Sequence, residues 1–185
     1  MLTGKKAVIF DMDGSLVDSM WIWPEVDRIF MEKYHLTEPP TFHKDIEGMS
    51  YTETAQYFVD TFHTLDRTVE QVMEEWRDMT ICLYATKVFP KPGAVEFLKD
   101  MKRRGISLGI ATSNDRTIAD AALNARHLTP YFDSVRTACE VASGKPAPDV
   151  YLKVAEDLHV EPSSCLVFED VPNGILAGKN AGMEV

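Results

Sequence analysis

Several things are scarce in this sequence, and each scarcity closes off a class of protein. Cysteine occurs three times in 185 residues, as Cys82, Cys139 and Cys165, an odd number at wide spacing. That pattern draws neither a disulfide framework nor a Cys-x-x-Cys metal site, and the simplest expectation is reduced thiols in the core. No apolar run approaches the roughly 18 residues needed to span a bilayer. The stretch before Ala7 lacks the long apolar segment and small-residue cleavage site of a secretory signal, so no membrane partner is expected and a cytoplasmic location is the default. Positive charge is short as well: 19 Lys and Arg against 29 Asp and Glu give a net charge of −10. This argues against a polyanion surface such as nucleic acid, while an anionic small substrate stays open where the local field is inverted. The five histidines are scattered without ligand spacing, there is no internal repeat or low-complexity tract, and no obligate protein partner is evident.

What is present is enough apolar material for a core: 45% hydrophobic and 26% charged residues, in a length suited to one domain or one domain with an insertion. Residues 5–11, Lys-Lys-Ala-Val-Ile-Phe-Asp, form a short apolar run ending in an acid, the pattern of a buried parallel strand with Asp11 at its C-terminal end. From about Pro92 helices and strands alternate. A helix through Val95, Leu98 and Met101 stops at Gly105, a strand spans 106–112, and a helix over 115–127, a strand near 133–138, a helix over 149–158, a strand at 164–169 and a helix over 172–181 follow. Such alternation predicts an α/β fold, a doubly wound parallel sheet with ligands outside the carboxyl ends of its strands. Residues 19–89 break the rhythm and read as helices only. Ser50 to Glu53 and Thr68 to Gln71 have capping-box spacing, and Ala55, Phe58, Val59 and Phe62 recur at helical intervals. The expected organisation is an α/β core over 1–18 and 90–185, with a helical cap inserted over 19–89.

Four stretches carry candidate chemistry. Asp11-Met12-Asp13-Gly14 follows the first strand, and two carboxylates two positions apart converge only if the chain leaves the extended conformation there. An acidic turn is the plainer alternative. Thr112 and Ser113 end the second apolar strand, where hydroxyls and N–H groups can receive phosphate oxygens, although such residues also cap helices routinely. Lys145 stands in a proline-flanked loop before a helix, and most lysines are simply solvated. Glu169 and Asp170 are adjacent acids at the end of another apolar strand, suited either to a hard cation or to a helix N-terminus. Their conjunction decides: acids, hydroxyls, lysine and acids fall at successive strand ends or the loops after them, on one edge of the expected sheet.

With those motifs in that order, the chain from about Ala7 to Met183 resembles the haloacid dehalogenase superfamily of phosphatases and phosphomutases, in particular its β-phosphoglucomutase-like branch with a small helical cap. The resemblance implies that Asp11 is a nucleophile, that Asp13 is the general acid and base, and that Thr112, Ser113 and Lys145 grip the phosphoryl group. It also implies a Mg²⁺ site made by the Asp11 carboxylate, the Asp13 backbone carbonyl, Asp170 and Glu169 beside it. Relatives that cleave carbon–halogen bonds or drive pumps lack an acid at the second position, so Asp13 points to phosphate esters.

Two departures bear on the reaction. The mutases' gating histidine corresponds to Trp23, and their cap arginine, which follows a Gly-x-Ser, corresponds to Tyr51 after Gly48-Met49-Ser50. A tyrosine cannot replace a bidentate anion clamp, which tilts the reading from mutase toward hydrolase. Trp21, Trp23, Met49 and Tyr51 are candidates for a substrate-facing surface of the cap, with ordinary core packing as the alternative. The expected function is a Mg²⁺-dependent phosphatase acting on a small phosphorylated metabolite through an aspartyl-phosphate. A sugar phosphomutase, or a non-catalytic module binding phosphorylated metabolites, are the alternatives. The family continues beyond Val185 with a strand and a helix, so these are expected to be missing from this chain.

Overall fold

Four short runs build the sheet, three of them almost wholly buried and one, Ser134–Thr137, half-buried. The computed structural model describes residues 2–46, 49 and 51–185, and places strands at Ala7–Phe10 (β1), Ser107–Thr112 (β2), Ser134–Thr137 (β3) and Cys165–Phe168 (β4). All pairings are parallel, in the order β3-β2-β1-β4, with Ala7 opposite both Ser107 and Cys165. The chain therefore winds outward from β1 to β3 and returns to the other side of β1. The switch point lies between β1 and β4, where α/β sheets open a crevice at their carboxyl ends. Alternate residues of each strand serve two faces. Ala7, Ile9, Cys165 and Val167 pack with Val150, Tyr151, Val154 and Ala177 on one side. On the other, Phe10 stacks on Phe168 at 5.1 Å and meets Phe97 and Phe132 edge to face.

The chain divides into two compact units, Met1–Met20 with Tyr84–Val185, and Trp21–Leu83. The first holds the sheet with helices Ala94–Arg103 (α5), Arg116–Ala125 (α6), Asp149–Asp157 (α7) and Pro172–Asn180 (α8). Gly105, at φ 71°, follows α5 as a left-handed stop. The second is helical: Ile22–Lys33 (α1), Phe42–Asp45 (α2), Tyr51–Thr61 (α3) and most of Val69–Thr86 (α4). Its core is aromatic, with Phe30, Phe42, Phe58 and Trp76 buried and Phe58 meeting Trp76 edge to face at 4.9 Å. The Thr68–Gln71 capping box forms, with Thr68 N–H donating to Gln71 Oε1 and Gln71 N–H to Thr68 Oγ1. The other, beginning at Ser50, lies outside the described residues.

The cysteine expectation needs correcting. Cys165 is buried in β4, but Cys82 and Cys139 are exposed. Trp76, Thr80 and Leu83 mark the buried stripe of α4, and Cys82 falls off it; Cys139 sits in a single 3-10 turn, Ala138–Glu140. Among the described residues, no helix is long and apolar enough to cross a membrane.

Candidate active site

The loop after β1 turns because its own backbone closes on itself. Asp11 N–H donates to Phe168 O at 2.9 Å, carrying the β1–β4 pairing to the strand's last acid. The Leu16 and Val17 N–H groups then both donate to Met12 O, and Gly14 N–H to Val17 O, each at 3.0 Å. Gly14 has φ 78°, and a Cβ there would lie 2.0 Å from Asp170 Oδ2. The position thus needs glycine twice, for its backbone and for the approach of Asp170. Val17 bridges Pro90, and Asp18 N–H donates to Phe89 O, where the chain departs and returns.

Lys145 joins two strand ends. Its Nζ donates to Asp11 Oδ1 at 2.6 Å and Glu169 Oε1 at 2.5 Å, with the lysine side chain 5% exposed and that of Glu169 wholly buried. Burial pushes the Asp11 carboxyl up to about 7; Lys145 pulls it down, and Glu169 and Asp13 add to the rise. Two acids on one buried cation leave an excess of negative charge, which a further cation would relieve. Glu169 also accepts from Tyr151 Oη at 3.0 Å on Oε1, and from the N–H groups of Asp170 and Val171 on Oε2 at 2.9 and 3.2 Å. All four acceptor positions of its carboxylate are occupied. The sequence groups Glu169 with the metal ligands, and its bonds also make it the anchor of Lys145.

Asp13, from the same loop, is held by neutral donors. Its Oδ1 accepts from Ser19 Oγ and Tyr84 Oη, both at 2.5 Å, and its Oδ2 from Asn114 Nδ2 at 2.6 Å. Burial raises this carboxyl above the usual range, and the three hydrogen bonds oppose that rise. Sequence reasoning missed all three partners. Asn114 ends the stretch that carries Thr112 and Ser113, and Ser19 follows Asp18, so each had a local signal; Tyr84, 71 positions away, had none.

Thr112 is buried at the end of β2, its Oγ1 accepting from Asn114 N–H at 3.1 Å, and Ser113 is exposed beside it. Neither caps the helix that follows. Asp115 does so, its side chain accepting from the Thr117 and Ile118 N–H groups. The capping alternative for the two hydroxyls therefore falls.

Asp11, Glu169 and Asp170 each present a carboxylate oxygen within 4.8 Å of the others, and Asp170, which accepts from Ser15 Oγ at 3.3 Å, is exposed. Hard oxygen donors with unbalanced negative charge fit Mg²⁺. In the helical unit, Trp23, Met49 and Tyr51 do come together, lining a pocket of about 320 Å³ with Asp27, Ile46, Thr54 and Trp76. Tyr51 Oη donates to Met73 O at 2.7 Å, and the Trp23 and Tyr51 rings lie 5.7 Å apart. Gly48 and Ser50, which complete the compared Gly-x-Ser, lie outside the described residues.

Comparison with known proteins agrees with this geometry. A family model described as haloacid dehalogenase-like hydrolase matches residues 5–182. The chain is 32% identical to a phosphorylated carbohydrates phosphatase of Thermotoga maritima over 97% of this chain and 82% of that protein. It is 34% identical to the Arabidopsis thaliana (DL)-glycerol-3-phosphatase 1, mitochondrial, over 96% of this chain and 62% of that one. A crystal structure of a "putative beta-phosphoglucomutase" from Thermotoga maritima superposes with a TM-score of 0.86 at 31% identity, over 96% of this chain and 82% of that chain.

Proposed function

We propose, from the premise that this chain belongs to the haloacid dehalogenase-like hydrolases and is a phosphoric monoester hydrolase, that it dephosphorylates a small phosphorylated carbohydrate through an aspartyl-phosphate on Asp11. The observation that carries the reading is the buried Asp11–Lys145–Glu169 cluster at the switch point of the sheet. A carboxylate attacks phosphorus only when the charge of the phosphate is neutralised, and Lys145 is a cation fixed beside that carboxylate. Thr112 and Ser113, free of helix capping, offer hydroxyls to the phosphoryl oxygens. Asp11 forms the bond to phosphorus as the ester P–O bond breaks, and the departing alkoxide takes a proton from Asp13. Asp13, now ionised, takes a proton from the water that cleaves the acyl phosphate, which releases inorganic phosphate and restores Asp11. Magnesium, held by the Asp11 carboxylate, the Asp13 carbonyl and Asp170, would supply positive charge against the phosphate dianion.

Hydrolysis is favoured over mutase chemistry by the pocket of the helical unit. The mutases' cap arginine corresponds to Tyr51, which cannot act as a bidentate anion clamp, and among the described residues lining the pocket Asp27 alone is charged, so no cation stands in for it there. Trp23, Met49 and Tyr51 contribute instead to selection among esters. The test is turnover of p-nitrophenyl phosphate and of a panel of phosphorylated carbohydrates, with and without Mg²⁺. Mg²⁺-dependent release of inorganic phosphate is expected, with no glucose 6-phosphate accumulating from β-glucose 1-phosphate. Rapid isomerisation dependent on a trace of the bisphosphate would overturn it.

A further inference from the structure

The geometry assigns Tyr84 and Ser19 as positioning residues that hold Asp13 by its Oδ1, so that Oδ2 is the oxygen through which the proton is exchanged. This rests on the reading of Asp13 as acid and base. A carboxylate oxygen has two lone-pair directions. On Oδ1 both are taken, by the Ser19 hydroxyl and the Tyr84 hydroxyl, each at 2.5 Å. On Oδ2 one is taken, by Asn114 Nδ2 at 2.6 Å, and one is open among the described residues. A proton arriving at Oδ1 would have to displace a hydroxyl that is already donating; at Oδ2 it meets an unoccupied lone pair. Two donors also draw more charge from Oδ1 than one does from Oδ2, which leaves Oδ2 the more basic oxygen.

Tyr84 suits holding rather than reacting. It is buried, its single O–H is committed to Asp13, and its oxygen accepts from Asn114 Nδ2 at 3.2 Å. Asp13, Tyr84 and Asn114 thus form a closed triangle, and Asn114 ties it to the phosphoryl-binding side through its N–H on Thr112 Oγ1. The Tyr84 O–H points at Asp13 Oδ1, so it holds that carboxylate rather than handing a proton to the leaving group. A rigid ring with two side-chain torsions fixes the carboxylate plane more firmly than a flexible donor would.

Tyr84→Phe removes one oxygen and keeps the ring. The readout is kcat/KM for p-nitrophenyl phosphate and for phenyl phosphate, esters of similar size whose leaving groups differ in basicity. Because kcat/KM extends only to leaving-group departure, hydrolysis of the phosphoenzyme does not enter it. Tyr84→Phe is expected to lower kcat/KM about tenfold more on the phenyl ester than on the nitrophenyl ester, since the more basic phenoxide needs the proton more. Ser19→Ala should shift the ratio in the same direction, and Ser19→Thr should restore it. In an Asp13→Asn background, Tyr84→Phe should leave the ratio where Asp13→Asn alone puts it. Equal losses on both esters, or a further change in the Asp13→Asn background, would show that Tyr84 acts through the fold and not through Asp13. If Tyr84→Phe fails to fold by thermal melt, the Ser19 pair decides alone: an Ala and a Thr variant with the same ratio overturn the assignment. An Asp13→Asn enzyme as active as the parent on both esters would instead remove the acid–base reading itself, so the two failures are distinguishable.

Discussion

The two units of this chain bury polarity in opposite ways. In the α/β unit, full-length charges are taken out of water and paired: Lys145 between Asp11 and Glu169, with Asp13 under three donors. In the helical unit the interior is rings, and its pocket includes one acid, Asp27, which burial pushes up to about 6. Buried charges cost several kcal/mol unless matched, so a fold retains them where their field is used. Rings packed edge to face give shape without a field. The contrast implies that deleting the paired charge of Lys145 falls on every ester alike, whereas substitutions in the helical pocket change which ester is preferred.

The largest effect that would break this contrast belongs to Lys145. Lys145→Met keeps the stem and deletes the charge, and should lower kcat by about 100- to 1,000-fold on every ester tested. It also strands Glu169 and Asp11 as buried unpaired acids and should lower the melting temperature. A loss confined to one ester in steady-state assays would place Lys145 in selection. Gly14→Ala comes next. A Cβ 2.0 Å from Asp170 Oδ2, at φ 78°, must displace either the loop or the acid. Mg²⁺ affinity measured by calorimetry should weaken about tenfold or more, the size seen when partners that orient ligands are lost. Unchanged affinity would remove Asp170 from the metal site.

A smaller effect follows from Asp11. Its folded carboxyl sits at about 7, against an ordinary 3.8. A raised acid contributes stability that is fully present below the ordinary value and is lost as pH rises through about 7. Metal-free protein should therefore melt several degrees lower at pH 8 than at pH 5, by calorimetry. Mg²⁺ should recover more of the melting temperature at pH 8, where Asp11 is ionised. A melting temperature equal at both pH values without metal would contradict the burial of Asp11 as described. The smallest effect belongs to the helical pocket: Trp23→Ala should re-rank a panel of phosphorylated carbohydrates by about tenfold in relative kcat/KM. A uniform fall across the panel would erase the contrast between the units.

How much of this was legible in the sequence also divides along physical lines. Strand ends were, because a buried parallel strand is a short apolar run and the polar residue that stops it marks the site: Asp11, Thr112 and Glu169 all follow or end such runs. The stop at Gly105 was legible for the same local reason. Which of three polar residues caps α6 was not, since Thr112, Ser113 and Asp115 all suit the role and only the backbone path selects Asp115. The occupation of Glu169 was hidden too, because its adjacency to Asp170 suggests a shared cation while the turn aims backbone N–H groups at it. Tyr84 was invisible, since nothing local links it to a residue 71 positions earlier. Composition alone misjudged Cys82 and Cys139, because it does not say which face of a helix or turn a thiol takes.

Asp11 is the residue proposed to carry the phosphoryl group. Acid quenching of the enzyme during turnover of p-nitrophenyl phosphate with Mg²⁺, followed by peptide mass spectrometry, should find one phosphoryl group on the peptide containing Asp11. That adduct should be absent from Asp11→Asn, which should lose essentially all turnover while remaining folded. A phosphoryl group on another residue, or an Asp11→Asn enzyme that turns over at a near-normal rate, would contradict the account.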